Sequence, residues 1–191
     1  MGMFSINLKP IVTALSMLVM ISLPAAAQTA DVAVADIDAL FDQLAQSDPD
    51  EAKRLEREIR SAWEKSGSAT MNLLLKRGRD AIEAEEYAVA VEHFTALTDH
   101  APDWAEGWYG RAMAHYRLER FGPAMADLQR VLELNPRHFP AMEGVGAIFE
   151  QVGRTRAAYA VYERVLAIHP HYPEVANALE RLEREVNGTA L

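Results

Sequence analysis

The 191-residue chain contains no cysteine. Disulfides, thiol nucleophiles, Cys-ligated zinc, iron–sulfur clusters and an acylated lipoprotein cysteine are therefore excluded, and packing alone must hold the fold. Basic side chains are in deficit. Nineteen Lys and Arg face 28 Asp and Glu, giving a formal charge of −9. An acidic chain repels phosphate backbones and anionic membrane surfaces, so nucleic acid is not an expected partner. A basic partner is compatible with this charge, although many acidic proteins are acidic for solubility alone. Glycine and proline are scarce, whereas Ala, Leu, Glu and Arg dominate, a composition that favours helices.

Signatures of catalysis are missing as well. The sequence has no P-loop, G-x-S-x-G, H-E-x-x-H or G-x-G-x-x-G. Gly144-Val145-Gly146 falls inside a helical stretch, not in a phosphate loop. No enzyme activity, cofactor or metal is expected. His93, His100, His115, His138, His169 and His171 are spread along the chain and are expected to be solvated turn or surface residues. Glu83, Glu85 and Glu86 read as helical surface charge, and no spacing nominates a catalytic carboxylate pair.

Only one long hydrophobic run is present, at residues 11–23. As a helix it spans about 20 Å, short of the roughly 30 Å hydrocarbon core of a bilayer. Lys9 precedes it, and Pro24-Ala25-Ala26-Ala27-Gln28 follows with the small residues a signal peptidase admits. The run is expected to be a signal peptide, 1–27, cleaved between Ala27 and Gln28, with an uncleaved anchor as the alternative. Cleavage implies export without membrane insertion, to the periplasm if the source is a Gram-negative bacterium. Residues 28–35 have no pattern and read as a flexible tether.

The remainder repeats with a period of 34 and no gaps. Gly78, Ala112 and Gly146 share one register, as do Ala90, Ala124 and Ala158, and Pro102, Pro136 and Pro170. Phe94, Leu128 and Tyr162 form another column, and Leu97, Val131 and Val165 a fifth. Small residues let helix axes approach, large ones fill the space between helices, and each proline ends a second helix.

This pattern resembles the tetratricopeptide repeat family. The resemblance covers three repeats, 71–104, 105–138 and 139–172, and implies an all-α fold. The expected architecture is a right-handed α-α superhelix of three helix pairs, whose neighbours share one core. Ala81 and His115 stand where the family usually has an aromatic. Residues 173–187, with Val175, Ala178, Leu179, Leu182 and Val186 at helical spacing, should form a C-terminal capping helix. A helical pair is expected over 36–67, its second helix capped by Ser47 or Asp48, led by Pro49 and closed by Gly67. That pair either stacks as an imperfect extra repeat or lies across the groove.

The resemblance also implies a working surface, since such arrays line their concave face with first-helix positions 2, 5, 9, 12 and 13. Among these, Leu75, Arg79, Ile82, Tyr109, Met113, Tyr116, Arg117, Glu143 and Glu150 are the candidate partner-binding residues. Tyr109, Met113 and Tyr116 make its centre aromatic and soft, suited to a peptide or amphipathic helix. The alternative is that the N-terminal helices partly cover the two tyrosines. The Lys/Asn carboxylate clamp of some family members is not apparent. The expected function is an exported protein–protein interaction scaffold, with an accessory or regulatory subunit of an envelope enzyme or assembly complex as the alternative.

Overall fold

The computed structural model describes residues 37–188, so the expected signal peptide, 1–27, and the expected tether, 28–35, lie outside the described residues. Every regular element among the described residues is a helix. Helix α1 covers 37–44. It is followed by α2 (Pro49–Trp63), α3 (Ala69–Glu83), α4 (Tyr87–His100), α5 (Ala105–Arg117), α6 (Phe121–Leu134), α7 (Phe139–Gln151), α8 (Thr155–Ile168) and α9 (Pro173–Gly188). Helices α3 to α8 form three pairs; each second helix also packs on the first helix of the next pair, and α9 packs on α8.

The repeat columns are explained by the close approaches they permit. Phe94 of α4 is fully buried, with its ring between α3 and α5. A Cβ on Gly78 would lie 2.5 Å from that ring, and one on Gly110 2.2 Å. Tyr162 sits on Gly146 in the same way, at 2.3 Å. Gly110 lies outside the small-residue columns of the repeat, yet it is as necessary as Gly78, because the ring touches both helices.

The three intra-pair turns are built alike. Glu85, Glu119 and Gly153, each 34 residues apart, adopt φ of 60°, 56° and 72°. The next amide donates back to the helix at Ala81, His115 and Phe149, at 2.8, 2.9 and 2.7 Å. This is the Schellman arrangement, whose left-handed residue is best as glycine. Two glutamates occupy it here, at a steric cost of roughly 1–2 kcal/mol each. Glycine recovers that cost but adds unfolded-chain entropy of roughly 0.5–1 kcal/mol. Glu119→Gly should therefore stabilise the chain by about 0.5–1 kcal/mol, and Gly153→Ala should destabilise it by about 1 kcal/mol. Urea midpoints of the two variants should move in opposite directions; a shift of the same sign in both would contradict the turn geometry.

The two ends of the array differ. At the C-terminal end, α9 buries Val175 and Leu182 and half-buries Ala178 and Leu179; the side chain of Val186 lies outside the described residues. At the other end no helix among the described residues stacks on the face of α3 that faces away from α5. Repeat positions 3, 6 and 10 are Gly107, Gly110 and Ala114 in α5, and Ala141, Gly144 and Ile148 in α7. These pack on the preceding pair. In α3 the same positions are Leu73, Lys76 and Asp80; Leu73 is 48% exposed, and Lys76 pairs with Asp80. Two of these three positions are charged where later repeats carry small or apolar residues.

Helices α1 and α2 consequently do not form an extra repeat. Asp48 caps α2, accepting from the amides of Asp50 and Glu51, and Pro49 opens its first turn. The helix stops at Trp63, and Gly67 lies in the following connection instead of closing it. Ala52, Leu55 and Ile59 are completely buried, in a cluster with Phe139, Tyr172, Val175 and Leu182. Thus α2 crosses the array as a strap, and α1 folds against it through Phe41 and Trp63.

Candidate functional site

Polar anchors show the path of the strap. At its C-terminal end Glu64 accepts from Arg79 at 2.8 Å, and the carbonyl of Trp63 accepts from the indole of Trp104 at 2.8 Å. The Trp63 ring stacks on His138, centroids 4.6 Å apart. One turn back, Arg60 lies over the Phe139 ring and donates to the Tyr172 hydroxyl at 3.3 Å. A further turn back, Glu56 meets His169 Nε2 at 3.3 Å. The strap therefore runs from the first repeat to the cap helix, antiparallel to the repeat order.

Its underside explains two histidines. His138 and His169 are each 1% exposed, contrary to the expectation of solvated turn residues. Inter-repeat turns are wet unless something docks on them, and here the strap does. His138 Nδ1 accepts from the Ala141 amide at 3.1 Å, so Nε2 carries the hydrogen and donates to buried Glu106 at 3.2 Å. His93 and His115 are half-buried, whereas His100 and His171 are exposed as expected.

Beside the strap the first helices leave an open cleft. It is about 230 Å³, lined by Tyr109, Ala112, Met113, Tyr116 and Leu128 on one side and Pro140, Glu143, Gly144 and Ala147 on the other. An apolar cavity of about 150 Å³ already admits a benzene ring, so this space suits one large side chain. Gly144 keeps the floor open, since a Cβ there would meet Leu128 at 3.2 Å. Tyr109 is half-buried, and burial pushes its hydroxyl up to about 12. Burial likewise raises the Glu143 carboxyl above its usual range, against the hydrogen bond it accepts from Tyr172 at 2.7 Å. Beyond Tyr116 a more open depression of about 320 Å³ continues over Arg117, Glu119, Phe121 and Gln151. A larger hollow, about 500 Å³, lies between α1 and α2 and includes no residue of the repeats.

Comparison with known proteins fits this architecture. A tetratricopeptide repeat family model matches residues 75–138. A TPR repeat-containing protein of Rhizobium etli is 37% identical over 135 residues, covering 70% of this chain and 66% of that protein. The chain belongs to the tetratricopeptide repeat family. Human serine/threonine-protein phosphatase 5 is 28% identical over 98 residues, which cover 51% of this chain and 20% of the phosphatase. Among solved structures, the first TPR of Spaghetti (RPAP3), bound to the HSP90 peptide SRMEEVD, superposes with a TM-score of 0.59 at 26% identity. It covers 61% of this chain and 93% of that one. The chain thus spans just under two thirds of the Rhizobium relative and a fifth of the phosphatase.

In the tetratricopeptide register, the structure brings only some of the nine candidate positions together. Tyr109, Met113, Tyr116 and Glu143 share the cleft, and Arg117 borders the depression beyond it. Leu75 does not line a groove; it is 5% exposed, in the core of repeat 1, with Ile82 packed against the same cluster. Arg79 is held by Glu64 and, at 3.5 Å, by Glu106. Glu150 turns toward the cap, accepting from Tyr162 at 2.7 Å and pairing with Arg181 at 2.5 Å. The usable surface is therefore the half belonging to repeats 2 and 3. Pro140, Gly144 and Ala147 complete its wall; Gly144 lies outside the family's groove positions, and only its small size in a helix marked it.

Proposed function

We propose that the protein is an interaction scaffold that holds a segment of another protein in the cleft between α5 and α7. The observation that carries this reading is the convergence of Tyr109, Met113 and Tyr116 with Pro140, Gly144 and Ala147 around one open, largely apolar space. The solved relative bound to an HSP90 peptide supports peptide capture as a use of this array. We further propose that residues 1–27 direct export and are removed, placing the scaffold in the cell envelope of a bacterium.

Met113 and Tyr116 test the site best, because Tyr109 also packs on His138, against which Trp63 of the strap stacks. Met113→Ala with Tyr116→Ala should reduce partner recovery, after crosslinking in intact cells and mass spectrometry, by roughly tenfold or more. The thermal midpoint should stay within a few degrees, since both side chains are only half-buried. Undiminished recovery of the same partners would remove the cleft from consideration. The intact mass of the recovered chain reads directly whether residues 1–27 are still attached.

A further inference from the structure

We infer that the cleft takes a basic amphipathic helix, seating one large apolar side chain among Tyr109, Met113 and Tyr116 and an adjacent Lys or Arg against Glu143. This inference rests on the proposed use of the cleft and names the chemistry of its occupant.

Size, charge and an internal precedent point the same way. The space of about 230 Å³ holds one anchoring side chain and not a continuous strand of them. Glu143 is the charged residue lining it, and the cation acting on that carboxyl, Arg60, reaches it through the Tyr172 hydroxyl and not by a direct ion pair. The formal charge of −9 adds a long-range field of the same sign. Helix α2 supplies the precedent on the adjoining half of the face. It buries Leu55 and Ile59, and it places Arg60 over Phe139 and against Tyr172, whose hydroxyl donates to Glu143. Guanidinium over aromatic, beside a carboxylate, is a favourable arrangement in a partly dry site. An acidic segment would instead bring like charge to Glu143. Burial raises the Glu143 carboxyl, against the Tyr172 hydrogen bond and Arg60 and together with Glu174 and Glu56, so an arriving cation would favour its ionised form and release a proton.

Two fluorescein-labelled 18-residue helices with the same Leu/Phe stripe serve as probes, one with Lys and one with Glu on the polar face. Anisotropy titration of the purified chain should favour the Lys helix by roughly tenfold or more. Glu143→Gln should remove most of that preference, whereas Glu180→Gln, at an exposed position of α9, should leave it intact. Calorimetry of the Lys helix at a series of pH values through the carboxylate range, in buffers of different ionisation heat, should show proton release that Glu143→Gln abolishes. Equal loss in both Gln variants would mean a general field and would overturn the inference. Equal binding of the two helices, both weakened by the Met113/Tyr116 variant, would overturn it while leaving the cleft as the binding site. Binding of neither helix also overturns it, and the crosslinking experiment then judges the cleft separately.

Discussion

Gly110→Val should lower the unfolding free energy by about 3 kcal/mol, at a helix position where valine is otherwise no worse than glycine. The new Cβ would fall 2.2 Å from the Phe94 ring, which cannot retreat because Gly78 bounds its other side at the equivalent of 2.5 Å. Phe94→Ala alone should cost about 3–5 kcal/mol, by leaving a cavity where a fully buried ring stood. The double variant should be much less damaged than the sum, since the valine then occupies vacated space. A coupling of at least about 2 kcal/mol is expected from urea denaturation of the four chains. Gly122→Val serves as the control, because a Cβ there meets nothing within 4 Å. Additive losses in the cycle would mean that the ring does not fix the spacing of α3 and α5.

The second large effect concerns the strap. Ile59 is completely buried against the array. Ile59→Asp forfeits about 1.5–3 kcal/mol of apolar burial and adds the desolvation of an unpaired carboxylate. A combined loss of about 4 kcal/mol should accelerate amide exchange in residues 49–63 roughly a thousandfold. Residues 105–168 should keep their protection, because stacked helix pairs draw their stability from nearest neighbours. Trypsin should then cut at Arg54, Arg57 or Arg60 well before it cuts within the repeats. Loss of protection across 105–168 at the same rate would show that strap and repeats unfold as one unit.

The parts of this fold that were legible in the sequence are those made by neighbours. The columns at Gly78, Phe94 and Pro102, and their copies 34 and 68 residues on, encode contacts within a pair or between adjacent pairs, so a period reveals them. The strap is not periodic. Its partners Arg79, His138, His169 and Tyr172 are scattered over the chain, and each has an ordinary explanation when read alone. One signal was nevertheless present. Leu73, Lys76 and Asp80 stand where later repeats carry Gly, Gly and Ala or Ala, Gly and Ile, so two charged side chains disfavour a helix stacked on α3. The groove was legible in its centre, at Tyr109, Met113 and Tyr116, where local helix geometry decides which side chains converge. It was not legible at Arg79 or Glu150, whose partners Glu64 and Arg181 come from the flanking helices.

The polar face of α3 bears on how such a chain can change in length. A duplicated 34-residue unit joined ahead of α3 would meet Lys76 and Asp80 and find no seat, and one joined after α9 would first have to displace that helix. Growth by whole units is open only at internal seams, such as the one between α4 and α5, where both surfaces already fit. The same reasoning applies to head-to-tail stacking of copies: among the described residues, the charged Lys76 and Asp80 on α3 offer no apolar seat for the α9 end of a second copy.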